Sequence, residues 1–170
     1  YIFTALYFGY SNGIAPIISY KYGNNDTAQL HCIFKSSLVF LLIAALVANS
    51  LLFLTIKDAL TIFTPAYSSV YEITLHGFMR YSLAFGVMGL GIFASAMFTA
   101  FSDGRTSAII SFSRTFIFLI AMICILPHFL GEAGVWIAVP VAEMLGGIVA
   151  ACYLILKNDE FSYFPRLKKL

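Results

Sequence analysis

The sequence predicts an all-α, polytopic transmembrane helix bundle, and three observations carry that reading. Of its 170 residues 61% are hydrophobic and only 11% are charged, with a mean hydropathy of +0.90, whereas a soluble domain is about one-quarter charged. The hydrophobic residues gather into five runs, and the uninterrupted ones approach the ~20 residues that cross a bilayer as a helix. None of them alternates apolar and polar residues as a membrane strand does, so helices are expected rather than a barrel.

The first helix is expected over residues 1–20. It opens on Tyr1 inside apolar sequence, so its true start is expected upstream. Gly9 and Gly13 stand four apart, the spacing that lets two membrane helices touch closely. Pro16 has no N–H and therefore frees the carbonyl of Asn12. Gly23 is placed to end the helix before the polar Asn24-Asn25-Asp26 link. The second helix, 33–56, is interrupted by Asn49 and Ser50, which are expected to hydrogen-bond locally or across helices. Residues 58–79 are expected to hold a short interfacial stretch, with Tyr67 and Tyr71 at headgroup level. The third helix, 78–101, is rich in Gly, Ala and Ser, which suits either tight packing or a bending, cavity-lining role. The fourth, 106–127, carries Arg114, with Ser107 and Ser111 on the same face,. The fifth, 134–156, is followed by a tail over 157–170. The links are short, so successive helices are expected to be antiparallel neighbours.

The fifth helix concentrates the chemistry. Glu143 is its single charge, and a carboxylate at membrane depth costs about 2.5–3.5 kcal/mol on insertion scales. Such a group is paired, protonated or functional. Pro140 frees the Trp136 carbonyl about one turn away, and Gly146, Gly147 and Ala150 continue on the side of Glu143. One face thus carries an acid, a kink and a smooth groove. Arg114 either snorkels back to the headgroups or meets Glu143. At 1.5 Å per residue, Arg114 lies about 20 Å and Glu143 about 14 Å from the outer link, a gap of roughly 6 Å that an arginine side chain spans. The carboxylate then either locks two helices together or belongs to an ion or substrate pathway.

Charge placement sets an expected orientation. With the C-terminus in the cytoplasm, Lys21, Lys35, Arg105, Lys157, Arg166, Lys168 and Lys169 fall inside and only Lys57 and Arg80 outside, as the positive-inside rule requires. No basic stripe outside the tail suggests nucleic acid. His31, His76 and His128 lie in separate boundary regions, without a second ligand at metal-binding spacing. Cys32, Cys124 and Cys152 sit in or beside apolar runs and give no disulfide framework. No phosphate loop, nucleophile elbow or HExxH pattern is present, so neither an enzyme nor a cofactor is expected.

The stretch from Gly9 through Gly13, Pro16 and Tyr20 to Gly23 resembles the eighth helix of the multidrug and toxic compound extrusion (MATE) transporters. Ile62-Phe63-Thr64 is similar to the segment before that family's tenth helix, Ser111 to Arg114 to its eleventh, and Leu126-Pro127, Gly131 and Gly134-Val135-Trp136 through Glu143 to the passage into its twelfth. The resemblance covers essentially the whole chain in order. It implies about five helices of a six-helix lobe, with an N-terminal lobe elsewhere in the same chain. It also implies a multi-pass protein of the plasma or inner membrane, exchanging Na+ or H+ for small organic, often cationic, compounds. The implied C-terminus is cytoplasmic, in agreement with the charge count. Glu143, Arg114, Asn12 and Tyr20 are the candidate pathway residues. Gly9, Gly13, Pro16, Gly23, Pro140, Gly146 and Gly147 are the candidate kink and packing residues. The family's coupling acids of the first and seventh helices have no counterpart here, and residues 81–101 hold no acid where some members place one in the tenth helix. A flippase for lipid-linked oligosaccharide or polysaccharide is the alternative, but it would want a more cationic cavity than Arg114 alone supplies.

Overall fold

The computed structural model describes residues 2–65 and 68–164. Tyr1, Tyr67, Arg166, Lys168 and Lys169, on which parts of the sequence reading rest, lie outside the described residues.

Helix α1 spans Ile2–Gly23 and α2 spans Thr27–Phe63. After a short link, α3 (Ser69–Tyr81) passes through a tighter 3-10 turn, Ser82–Gly86, into α4 (Met88–Ala100). Helix α5 (Gly104–Phe112) widens into a π-helical segment, Ser113–Phe118, and continues as α6 (Leu119–Leu130). Helix α7 (Glu132–Leu156) is followed by one short turn, α8 (Asn158–Phe161). Among the described residues, four stretches are long and apolar enough to cross a membrane: Thr27–Phe63, Ser69–Ala100, Gly104–Leu130 and Glu132–Leu156. Helix α1 has the length, at 22 residues, but Ser11, Asn12, Ser19 and Lys21 dilute its hydropathy.

The boundaries correct the sequence reading in several places. The second helix does not stop at Ile56. Lys57 and Asp58 break the hydropathy but not the helix, since no Gly or Pro follows before Phe63 and the cap forms at Thr64, whose N–H reaches the Leu60 carbonyl at 2.9 Å. Its start is also earlier, because the Asp26 carboxylate accepts from the Gln29 N–H at 3.2 Å and caps the first turn,. With 37 residues, α2 is about 55 Å long, well beyond a 30 Å hydrocarbon core. The stretch expected at the interface is the end of α2 together with α3. The first helix does run to Gly23, and the left-handed residue in the link that follows is Asn25 (φ 56°).

Helix α4 is the centre of the molecule, packed against α1, α5 and α7. Its stretch is the most buried of the four spans. Membrane helices gain little from burying apolar surface out of lipid, so close packing by small residues and buried polar bonds does that work. Tyr7 shows both effects. Its ring lies against Gly89, where an added Cβ would come within 2.8 Å of it, and its hydroxyl donates to the Phe85 carbonyl at 2.8 Å. That carbonyl belongs to the 3-10 turn, where the α-helical ladder is broken.

Helix α1 meets its neighbours through Tyr7, Ser11 and Ile18. Gly9 is 200° around the helix from Tyr7, so Gly9, Gly13 and Pro16 are exposed. Nothing lies within 4 Å of an added Cβ at either glycine. The close contact expected at Gly9 and Gly13 is thus not made among the described residues.

Residues 157–164 pack back on the bundle. At the end of the bundle where α1, α4 and α7 finish, Phe161 stacks on Phe101 with ring centroids 4.7 Å apart. Tyr163 lies between Phe34 and Phe101 and its hydroxyl donates to the Leu154 carbonyl. The imidazole of His31 bonds the Ser162 carbonyl at 2.8 Å. Burial holds the Tyr163 phenol well above its ordinary titration range,.

Candidate functional site

Arg114 and Glu143 meet between α7 and the π-helical segment. The guanidinium Nη1 donates to both carboxylate oxygens, at 2.9 and 3.1 Å, and Arg114 as a whole is 8% exposed. Glu143 keeps slightly more contact with the surface, its side chain being 15% exposed. The arginine therefore does not snorkel.

Three local features of the sequence make this pairing possible. The π-segment adds a residue to the turn that carries Arg114, which rotates it relative to α5; such bulges recur at functional sites. Ser113 supports the widened turn by donating to the Ile109 carbonyl at 2.6 Å. Glycines on the two flanking helices make room for the stem. An added Cβ at Gly146 would come within 2.6 Å of Arg114 Cγ, and one at Gly91 within 2.9 Å of Cδ. The smooth side of α7 read from Gly146, Gly147 and Ala150 is thus a groove. Gly146 seats the arginine and Gly147 faces Val87. Pro140 is buried one turn before Glu143, in a helix that continues through it. One donor remains: Arg114 Nε–H has no partner among the described residues.

The polar surroundings of the pair extend along α4 and α5. Ser95 Oγ lies 2.6 Å from Ser111 Oγ and 2.9 Å from Ser107 Oγ, and Thr99 Oγ1 lies 2.7 Å from Ser107 Oγ. Sequence reading put Ser107 and Ser111 on the face of Arg114 but missed Ser95 and Thr99 as their partners. The signal was present: Ser95 and Thr99, like Ser107 and Ser111, are four apart and so share a helix face. Beyond Thr99, Asp103 caps α5. It accepts from the Thr106 N–H at 3.1 Å and hydroxyl at 2.6 Å and pairs with Lys157 at 3.4 Å. Partial burial alone would raise the Asp103 pKa, but the Thr106 bonds and the Lys157 charge together hold it below the ordinary 3.8,.

Asn12 and Tyr20, the other two candidates, are exposed on α1 and belong to neither group. Tyr20 instead offers its ring to Lys21 Nζ at 5.7 Å, and Asn12 has no hydrogen-bond partner among the described residues. Asn49 donates to the Ala45 carbonyl within its own helix at 2.9 Å. At the other end of the bundle a cleft of about 390 Å³ opens between α3 and the start of α7, lined by Glu72, His76, Arg80, Glu132 and Trp136.

In comparisons with known proteins, the model of the family described as MatE matches residues 1–125. The match includes Arg114 and stops before Pro140 and Glu143. No curated protein and no solved structure matches the chain.

Proposed function

The chain belongs to the MatE family of membrane transporters, and from that premise we propose that it is part of an antiporter that exchanges Na+ or H+ for small organic, often cationic, compounds. The observation that carries this reading is the partly buried Arg114–Glu143 pair, on a helix with a proline one turn away and glycines at its contacts. A cation can move a transporter between inward- and outward-facing states only if it binds the two with different affinity. A carboxylate held by a neighbouring arginine offers such a difference. When a proton or Na+ takes the carboxylate, the guanidinium loses its partner and the α7 contact with the π-segment is released. The remaining polar bonds of the lobe do not involve Glu143, so the lobe can rock as a unit against its counterpart.

The same geometry disfavours a flippase for pyrophosphate-linked lipids. Arg114, the buried cation that a phosphate would meet among the described residues, is already engaged by Glu143. As for localisation, these features suit a plasma or inner membrane with the 157–164 end in the cytoplasm.

The test uses the full gene product in liposomes, with efflux of ethidium driven by an imposed H+ or Na+ gradient. Glu143→Gln is expected to abolish ion-driven efflux while the protein still binds ethidium. Undiminished ion-driven efflux in this variant would reduce Glu143 to a structural tie.

A further inference from the structure

We propose that the hydroxyl groups between α4 and α5 form a proton path linking Glu143 to the end of the bundle where Asp103 and Lys157 lie. This rests on the coupling reading above and adds the route by which the proton arrives.

Four hydroxyls follow one another in hydrogen-bond contact: Thr99 to Ser107 at 2.7 Å, Ser107 to Ser95 at 2.9 Å, and Ser95 to Ser111 at 2.6 Å. Their order along the two helices is monotonic. Thr99, Ser95 and Gly91 descend one face of α4 in steps of four, while Ser107, Ser111 and Arg114 ascend the facing side of α5 and the π-segment. The path is thus about 12 Å long. It is exposed at Thr99, buried at Ser107, half-buried at Ser95 and Ser111, and buried at Arg114. Its most exposed member, Thr99, is at the end of α4, and its far end lies toward the buried Arg114. Its inner end is the unpartnered Nε–H of Arg114, which lies against Gly91. An arginine keeps its protons, so Nε is an anchor for a water molecule rather than a relay. A water bridging Nε and Ser111 would complete the connection to the carboxylate.

Each hydroxyl both donates and accepts. A proton taken up at the Thr99 oxygen displaces that hydroxyl's own proton to Ser107, and so on through Ser95, Ser111 and the water to Glu143. One proton enters and one neutralises the carboxylate. Every hydroxyl is left intact with its bond direction reversed, and the guanidinium is unchanged. No other titratable group interrupts the route. Helix α4 and the 3-10 turn carry none, and α5 carries only Arg105 in its first turn. In α3, Glu72, His76 and Arg80 cluster with Glu132 in the cleft at the far end. The remaining groups on α7 and the elements packed against it are Tyr71 and Tyr81 of α3, Cys124 and His128 of α6, Cys152 and Tyr153 of α7, and Asp159 and Glu160 of α8; α1, which packs on α4, adds Tyr7, Tyr10, Tyr20, Lys21 and Tyr22, and among the described residues Arg114 is the ion-pair partner of Glu143.

The experiment uses the full-length protein in liposomes, with ethidium efflux and lumenal pH recorded together under an H+ gradient. Ser95→Ala and the near-isosteric Thr99→Val are expected to slow H+-driven efflux at least about tenfold, the scale of a lost proton-transfer group. Ethidium Kd should stay within about twofold, and Ser95→Thr, which keeps the hydroxyl, should restore most of the rate. Thr99 is exposed, so Thr99→Val decides the matter even if Ser95→Ala does not fold. Wild-type efflux that is H+-driven and Glu143-dependent, but unaltered in Thr99→Val and Ser95→Ala, overturns the path and leaves the coupling reading standing. Wild-type efflux indifferent to an H+ gradient overturns the path outright. Loss of the Glu143 dependence as well removes the coupling reading itself.

Discussion

At Gly146 and Gly91 the ion pair depends on what is absent from the side chain. The atoms that a Cβ at Gly146 would meet are Arg114 Cγ and Cβ, close to the backbone and unable to swing away. Gly146→Ala is therefore expected to destabilise by about 1–3 kcal/mol, read as a lower melting temperature in detergent. Gly91→Ala should cost less, because the nearest atom is the more mobile Cδ. Gly9→Ala and Gly13→Ala, in open space, are the controls and should leave the melt of this lobe unchanged. The charges themselves obey a different rule. Removing one partner of a buried pair leaves the other uncompensated, at about 3–5 kcal/mol, whereas replacing both by apolar groups is often neutral. Glu143→Leu alone should lower the melting temperature, and adding Arg114→Met should recover most of the loss. Efflux should remain absent in both variants. The pair was legible in the sequence because depth along a helix is simple arithmetic. Two charges of opposite sign in adjacent spans, within roughly 6 Å of the same depth, are within reach of each other.

The elements were less legible, for reasons specific to each. Hydropathy ended the second helix at Lys57, but a helix stops at Gly, Pro or a cap, and none intervenes before Thr64. The π-segment leaves no mark in composition; it places Arg114 between two glycine-bearing helices. The hydroxyl contacts depend on the register of α4 against α5, which a single sequence does not state. The link between those helices makes its own prediction about acidity. Asp103 has a folded pKa below 3.8, so its capping contribution is fully present at neutral pH. It is lost only as the pH falls below about 4, through the folded value. The melting temperature should drop on acidification in that range, and Asp103→Asn should remove that part of the dependence while lowering stability at pH 7.

For the molecule as a whole, the sequence reading treated residues after 156 as a tail, because charge and hydropathy change there. The change in composition is real, but Phe161 and Tyr163 reach back across it to Phe34, Phe101 and Tyr22, an arrangement invisible to any window of adjacent residues. Tyr163→Ala removes both the ring contacts and the bond to Leu154, and is expected to lower the melting temperature more than Tyr163→Phe does. At the other end, the single tryptophan of the 170 residues lies with its indole flat against Gly77, so that no side chain fits between them. Trp136 is also one turn from Pro140 and borders the polar cleft. Any movement of α7 away from α3 must therefore wet this ring. The chain carries its own optical gauge: its fluorescence maximum should shift to the red, and quenching by iodide should increase, whenever that seam opens.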